Sequence, residues 1–190
     1  VSLTEAPNLG YQKSAGEYLS SDWRATQYET GVRVSPVDTL WLSASVYKIE
    51  QENMPTLIDG STLYYEEEGK NESQGFELSM TGNITENWSL FTAYAYNEYE
   101  DLSSAATVRK FDRYPPHAVT ASTSYRIETG PLDDVVLGFG YRYRHKSLHT
   151  MLGRYIGENF YSDESHVFDC SADIPLRTFG GPKNVTLSLA

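Results

Sequence analysis

Two arginines and a tyrosine are the residues of this sequence best suited to contact an anionic ligand. Arg142 and Arg144 alternate with tyrosines near the end of the segment VVLGFGYRYR, residues 135–144. Guanidinium groups donate charge-assisted hydrogen bonds to anionic oxygens, often two at a time. Tyr47, in a second alternating segment, adds a phenol. We predict that these three residues contact a ligand, with salt bridges from the arginines to Asp or Glu as the alternative.

Histidine and acidic residues raise the question of a metal site. His145 and His149 have a ligand spacing that works only on a helix, and their stretch is predicted to be a strand end and a loop. These two, with His117 and His166, are therefore predicted to be loop or interface residues. Residues 50–72 carry seven acids against Lys70, but not in the order of a calcium loop, so we predict a solvated surface loop.

No arrangement of residues in the sequence indicates catalysis. There is no nucleophile elbow, no phosphate-binding loop, no Cys/His pair and no pair of carboxylates at a useful spacing. The one cysteine, Cys170, is interpreted as a small apolar residue, because the sequence holds no second cysteine to pair with it. We therefore predict that the protein is not an enzyme and holds no cofactor or metal.

The arginines belong to a segment with a strict period of two, which indicates a β-strand. Val135, Leu137, Phe139, Tyr141 and Tyr143 share one face, which changes from aliphatic to aromatic along its length. Small residues and then the two arginines occupy the other face. This pattern predicts a strand with lipid on one side and a polar lumen on the other.

Seven further segments alternate in a similar way. The eight predicted strands are residues 23–34, 40–50, 74–81, 88–98, 116–128, 135–144, 166–175 and 184–190, and residues 1–22 are predicted to be a loop. Short and long connections alternate between these strands, as in an up-and-down barrel of the bacterial outer membrane with tight turns inside and long loops outside. In this orientation Tyr47, Arg142 and Arg144 face the lumen near the outer mouth.

Composition supports this class and excludes others. The net charge of −11 argues against a nucleic-acid partner. No apolar run approaches the roughly 18 residues of a membrane-spanning helix, and 15 tyrosines fit strands at a boundary between water and lipid. The chain begins with Val1 and stops within a strand-like run, so we expect a piece of a longer protein.

Four stretches resemble the C-terminal half of the barrel of TonB-dependent outer-membrane receptors, most closely the ferric-siderophore branch. They are APNL with QYETGV (6–9 and 27–32), QGFEL with NWSL and YAY (74–78, 87–90 and 94–96), RYPPH with Tyr125 (113–117), and the strand from Phe168. The resemblance covers nearly the whole chain. The first stretch departs from the family pattern in its longer spacer and its missing Pro-Glu.

The resemblance implies an all-β, antiparallel transmembrane barrel of about 22 strands, of which residues 1–190 supply about eight, without the plug domain or the terminal strands. It also implies uptake of a ferric siderophore or a similar scarce solute across the bacterial outer membrane. The expected partners are outer-membrane lipid, a ferric chelate, and the TonB system acting through the missing plug.

Two alternatives make different structural predictions. A small, complete eight-stranded outer-membrane barrel with a structural or adhesive role would pair its first and last strands. A soluble β-sandwich that serves as a binding module would cover Val135, Leu137 and Phe139 with a second layer. The receptor fragment predicts two unpaired edges instead.

Overall fold

A computed structural model describes residues 1–7, 10–20, 22–57, 64–102, 109–110, 115–150, 159–182 and 185–190. It is almost entirely antiparallel β-structure. The strands are β1 (Ser2–Pro7), β2 (Gln12–Ser14), β3 (Glu17–Tyr18), β4 (Asp22–Val37), β5 (Leu40–Leu57), β6 (Tyr65–Asn83), β7 (Trp88–Asp101), β8 (Arg109–Lys110), β9 (His117–Arg126), β10 (Val136–Arg144), β11 (Ser147–Thr150), β12 (Asn159–Ser162), β13 (Ser165–Pro175) and β14 (Thr186–Leu189).

The long strands form one sheet in the order β1-β4-β5-β6-β7-β9-β10-β13-β14, so neighbours in space are neighbours along the chain. β8 pairs with the end of β7, while β2 with β3 and β11 with β12 form separate two-stranded sheets. This is the predicted up-and-down topology. Within the described residues β1 and β14 occupy opposite edges and do not pair with each other.

Short turns join the strands at one end of the sheet, which we call the turn end. The turn between β4 and β5 is two residues long, and a short 3-10 helix (Leu176–Phe179) lies between β13 and β14. Val135, in the turn between β9 and β10, is only 3% exposed. Its backbone forms hydrogen bonds with Ile127 and Leu132. Longer connections lie at the opposite end, which we call the loop end.

Strand pairing separates the side chains into two faces. One, the apolar face, carries large apolar and aromatic residues, among them Val32, Leu42, Val46, Phe76, Leu78, Leu90, Tyr94, Val119, Leu137, Phe139 and Phe168. The other, the polar face, carries mainly Ser, Thr, Gly and Ala, with charged residues such as Glu77, Arg142, Arg144 and Asp169, and it also carries Trp41, Tyr47 and Phe91. The alternation predicted from the sequence therefore holds over the middle of the sheet, and it breaks down toward the loop end, where Lys48, Glu50 and Glu72 lie on the apolar face.

The described residues provide almost no interior. Leu19 and Val135 are the buried hydrophobic residues among them, whereas Leu137 and Phe139 remain 47% and 46% exposed. No described element forms a second layer over these residues, which argues against the β-sandwich alternative. No helix among the described residues has the length and apolar character needed to cross a membrane.

The prediction that residues 1–22 form a loop is wrong. Ser2–Pro7 pairs with β4, and Arg24 and Glu5 form an ion pair at 2.9 Å across that pairing. Residues 11–20 then fold as the β2–β3 hairpin. Leu19 is buried there, Tyr11 packs edge-on against Tyr65 at 4.9 Å, and the Ser20 amide donates to Glu67. Because β1 pairs with β4 alone, its side chains can be polar. The alternation of apolar and polar residues that would identify it as a strand is therefore missing from the sequence.

The acidic stretch 50–72 was predicted to be a solvated loop, and most of it is strand instead. β5 continues to Leu57 and β6 begins at Tyr65, while residues 58–63 lie outside the described part. Lys48 bridges Glu50 at 3.0 Å and Glu72 at 3.1 Å, and Lys70 bridges Glu52 at 3.4 Å. The Lys48–Glu72 and Lys70–Glu52 pairs join β5 to β6, and the Lys48–Glu50 pair lies within β5. Together they offset the repulsion between acids that the local sequence suggests.

Candidate functional site

Small side chains, together with one acid, Glu77, form the floor of the middle of the polar face. Two adjacent rows cross β5, β6, β7 and β9 in register: Ser45, Glu77, Ala95 and Ala118, then Ser43, Ser79, Ala93 and Thr120. Ser43 and Ser79 hydroxyls lie 2.6 Å apart. These eight side chains line one shallow depression in the sheet. Larger and charged side chains border it, and the predicted ligand-contacting residues are among them.

Tyr47 lies at the loop end of this floor, on β5. Its hydroxyl donates to Asn97 Oδ1 at 3.0 Å, and the Ser73 hydroxyl donates to the same oxygen at 2.6 Å. The Tyr47 ring crosses over Gly75, where an added Cβ would lie 2.8 Å from the Tyr47 hydroxyl oxygen. The phenol is therefore held against the wall, and its oxygen keeps lone pairs with which to accept a hydrogen bond.

Arg142 lies on β10 and forms the predicted alternative contact, a salt bridge. Its Nη2 is 3.2 Å from Asp169 Oδ2 on β13. Both side chains are more than half exposed, at 57% and 58%. Gly140, directly opposite Asp169, leaves room for the carboxylate. An exposed pair of this kind contributes little stability, about 0–1 kcal/mol, so a bound anion can compete for the guanidinium.

The side chain of Arg144, unlike that of Arg142, is not held by a salt bridge to a described residue. It is exposed, and within the part of the chain that the structure describes it forms no ion pair. Register places it in the row of Ser45, Glu77, Ala95 and Ala118, so two alanines separate its strand position from that of Glu77. Its guanidinium can therefore bind an anion without first breaking a salt bridge.

The structure brings Arg142 and Arg144 together on one strand and leaves Tyr47 at a distance. β5 and β10 are separated by four strand spacings, or about 19 Å along the sheet at ~4.8 Å each. Tyr47 and Arg144 differ by only two residues in height, since Tyr47 pairs with Gly75 and Ser45 belongs to the row of Arg144. The prediction that they lie at similar heights on different parts of the wall is consistent with this register.

Sequence reasoning missed the residues that hold these side chains. Asn97 accepts from both Tyr47 and Ser73, and Arg33 stacks over the Trp41 ring at 4.6 Å. The alternation already placed Asn97 on the polar face of its strand. What the sequence did not supply was the register between β5 and β7, two strands that are not neighbours.

Three of the four histidines lie on the apolar face and not at this wall. His117 on β9, His145 directly after β10 and His166 on β13 lie at the loop end, each hydrogen-bonded to a tyrosine. His149 lies in strand β11, so its spacing from His145 is not helical. Among the described residues no group of three His, Cys, Asp or Glu side chains could hold a metal ion.

Comparison with known proteins identifies a family. The family model described as "TonB dependent receptor-like, beta-barrel" matches residues 4–190. The ferrioxamine B receptor of Salmonella typhimurium is 31% identical over 123 residues, which are 63% of this chain and 17% of that protein. The ferric-pyoverdine BN7/BN8 receptor of Pseudomonas putida is 31% identical over 127 residues, 65% of this chain and 15% of the relative. The chain thus matches about a sixth of the length of these relatives.

Solved structures agree on the fold. The ferripyoverdine receptor of the outer membrane of Pseudomonas aeruginosa superposes with a TM-score of 0.75 at 21% identity, over 90% of this chain and 24% of that one. The siderophore receptor PiuA from Acinetobacter baumannii superposes with a TM-score of 0.71 at 21% identity, over 98% of this chain and 27% of that one. In both, the similar region is about a quarter of the larger protein.

Proposed function

The chain belongs to the TonB-dependent receptor β-barrel family, and we propose that it forms part of the barrel wall of a receptor that takes up ferric siderophores. The family is one of outer-membrane receptors and transporters, not of enzymes. The named relatives bind ferrioxamine B or ferric pyoverdine. The small barrel that would close on its own eight strands is disfavoured, because β1 and β14 lie at opposite edges of the described sheet.

The observation that carries this proposal is the difference between the two faces. The apolar face meets lipid, and the polar face lines the lumen. Within residues 1–190 the proposed contribution is wall and outer loops. The plug domain, which couples the receptor to TonB, is expected from the part of the receptor outside these residues.

We propose that Tyr47, Arg142 and Arg144 contact the ferric chelate. Arg144 donates charge-assisted hydrogen bonds to anionic oxygens of the chelate. Arg142 does so when it exchanges Asp169 for the ligand. The Tyr47 hydroxyl, which already donates to Asn97, accepts from an N–H or O–H group of the ligand.

The uptake proposal is tested with the full-length receptor in cells that lack other siderophore receptors. Uptake of ⁵⁵Fe is measured with ferrioxamine B, ferric pyoverdine and a ferric catecholate, with and without TonB. The expected result is TonB-dependent uptake of at least one of these chelates. Uptake no greater than in cells without the receptor, for all three, would overturn the proposal.

The contact residues are tested by chelate binding to purified receptor. Arg144→Gln is expected to raise Kd about tenfold, the loss of one charge-assisted hydrogen bond. Arg142→Gln is expected to have a smaller effect, because its guanidinium is shared with Asp169. Arg126→Gln, near the turn end of the same face, is the matched control and should leave Kd unchanged. Equal effects of Arg144→Gln and Arg126→Gln would exclude a specific contact.

A further inference from the structure

Asn97 lies on β7, on the polar face, between Tyr47 and the two arginines of β10. It pairs with Gly75, which in turn pairs with Tyr47, so the three positions share one row. The Tyr47 ring crosses over Gly75, and its hydroxyl reaches the Asn97 side chain at 3.0 Å. The Ser73 hydroxyl, two residues nearer the loop end on β6, reaches the same side chain at 2.6 Å. Hydroxyls from β5 and β6 therefore meet at one amide on β7.

The distance to Ser73 identifies the atom of the Asn97 amide that the hydroxyls contact. Hydrogen bonds between two oxygens are about 2.5–3.0 Å long, whereas those donated by an N–H are about 2.7–3.2 Å long. The 2.6 Å contact is therefore between two oxygens, and Asn97 Oδ1 accepts from both Ser73 and Tyr47. With the amide turned by half a rotation, Nδ2 would lie too close to the Ser73 hydroxyl for an N–H donor. Both lone pairs of Oδ1 are thus occupied.

This bonding leaves the two N–H groups of Asn97 for another partner. Within the described part of the chain, Nδ2 of Asn97 has no hydrogen-bond partner. The side chain is half-buried and lies on the polar face. The Tyr47 hydroxyl donates its one proton to Asn97, so it can only accept from a ligand. The row therefore offers a donor beside an acceptor, which is the pattern complementary to the carbonyl and N–H of amide groups.

The charges around this row disfavour an anion as its partner. Glu29 lies directly opposite Tyr47 in register, and Glu77 lies in the next row toward the turn end. The guanidinium groups of the polar face in this half of the sheet lie instead on β10. Because like charges repel, an anionic oxygen is favoured near β10 and an uncharged group is favoured near Asn97.

The distance from Asn97 to Arg144 sets the size of a ligand that contacts both. β9 lies between β7 and β10, so the two strands are about 10 Å apart at ~4.8 Å per spacing. Arg144 belongs to the row of Ala95, two residues from Asn97 along β7, which is about 7 Å of strand. The two positions are therefore about 12 Å apart on the wall, a distance that one small chelate can span.

We propose that Asn97 and Tyr47 bind amide groups in the organic backbone of the chelate, an inference that rests on the proposed function. A carbonyl oxygen of the chelate accepts from Asn97 Nδ2, and an N–H donates to the Tyr47 hydroxyl. The anionic oxygens around the iron then face Arg142 and Arg144. The substrate class is a chelate whose iron-binding groups are joined by amide-containing linkers, and Asn97 is the residue that determines this specificity.

The ligand class is tested by binding to the purified full-length receptor. The two ligands are ferrioxamine B and its analogue with esters in place of the linker amides. Their iron-binding groups are the same, but the ester lacks the N–H and has a weaker carbonyl acceptor. Kd is expected to be about fivefold higher for the ester, the effect of one lost neutral hydrogen bond. Equal Kd values would overturn this inference alone, whereas binding of neither ligand would overturn the proposed function with it.

Variants separate a direct contact of Asn97 from its effect on Tyr47. In a Tyr47→Phe background the phenol is absent, so Asn97 no longer positions it. Asn97→Leu in that background should raise Kd for ferrioxamine B about fivefold further, because it removes the N–H donors. Asn83→Leu, the same change near the turn end of the polar face, is the control and should leave Kd unchanged.

Migration of the folded band on unheated gels shows that each variant is folded, so a loss of binding is assigned to the contact. If Asn97→Leu has no effect in the Tyr47→Phe background, Asn97 only positions the phenol, and the proposed contact is refuted.

Discussion

At the scale of single residues, Gly75 sets the position of Tyr47. A Cβ at this position would lie 2.0 Å from the Tyr96 carbonyl oxygen and 2.8 Å from the Tyr47 hydroxyl oxygen. The first contact is with backbone, which cannot move without shifting a strand. The second would displace the phenol from Asn97.

We therefore predict that Gly75→Ala destabilises the receptor by about 1–3 kcal/mol, the usual cost of overpacking. The measurement is the denaturant midpoint of the folded band on unheated gels. Gly138→Ala is the control, because its Cβ would meet the Ser171 hydroxyl, a side-chain atom that can rotate away. If the two variants unfold at the same midpoint, the close approach at Gly75 does not constrain the wall.

Residue types and faces were predictable at this scale, but partners were not. The period of two was enough to assign Tyr47, Arg142 and Arg144 to the polar face. The Arg142–Asp169 salt bridge and the Tyr47–Asn97 hydrogen bond depend on the register between strands, and these partners are 27 and 50 residues apart in the sequence. Whether these side chains contact a chelate stays a prediction.

At the scale of the element, β9 shows how sharply the two faces differ. Ala121 and Ser122 are consecutive, yet Ala121 lies in the row of Tyr141 on the apolar face, and Ser122 lies opposite Gly140 on the polar face. Ala121 is halfway between Tyr125 at the turn end and His117 at the loop end, so it lies near the middle of the apolar face. These two neighbours allow a matched test.

Ala121→Arg is predicted to cost about 2–4 kcal/mol, because it places a charge in hydrocarbon near the midplane. Ser122→Arg points into the lumen, where the charge is hydrated, and should change stability by no more than ~0.5 kcal/mol. Chemical unfolding in lipid vesicles measures both. Equal losses in the two variants would contradict the assignment of the faces.

Strand existence was easier to predict than strand extent. The alternation located every strand between β4 and β14 that belongs to the main sheet, apart from the short β8. It did not predict β1, the continuation of β5 to Leu57, or most of the part of β6 that precedes Gln74. These segments are stabilised by pairing, ion pairs and packing such as Tyr11 on Tyr65, none of which leaves a period in the local sequence.

At the scale of the whole molecule, the two edges of the sheet distinguish a receptor wall from a self-contained barrel. Thr4 of β1 pairs with Ala25, and Leu187 of β14 pairs with Ile174. In a wall that continues on both sides, Thr4 and Leu187 have different neighbours. In an eight-stranded barrel they would approach each other.

We predict that the pair Thr4→Cys and Ala25→Cys forms a disulfide in the full-length receptor, in a Cys170→Ser background. The pair Thr4→Cys and Leu187→Cys should not, because the two edges are separated by the rest of the barrel. Mobility under non-reducing conditions reports both outcomes. A disulfide between positions 4 and 187 would show that the sheet closes on itself and would support the small barrel.

The near absence of buried hydrophobic side chains has a consequence for biogenesis. With Leu19 and Val135 as the buried apolar residues of the described chain, the strands gain their hydrophobic stabilisation from lipid and not from one another. In the aqueous compartment that the newly made chain must cross, the same alternating segments have unpaired edges and no interior that could bury their apolar side chains. Each segment is then a template for aggregation. We therefore expect the chain to need protection from self-association until it reaches the membrane.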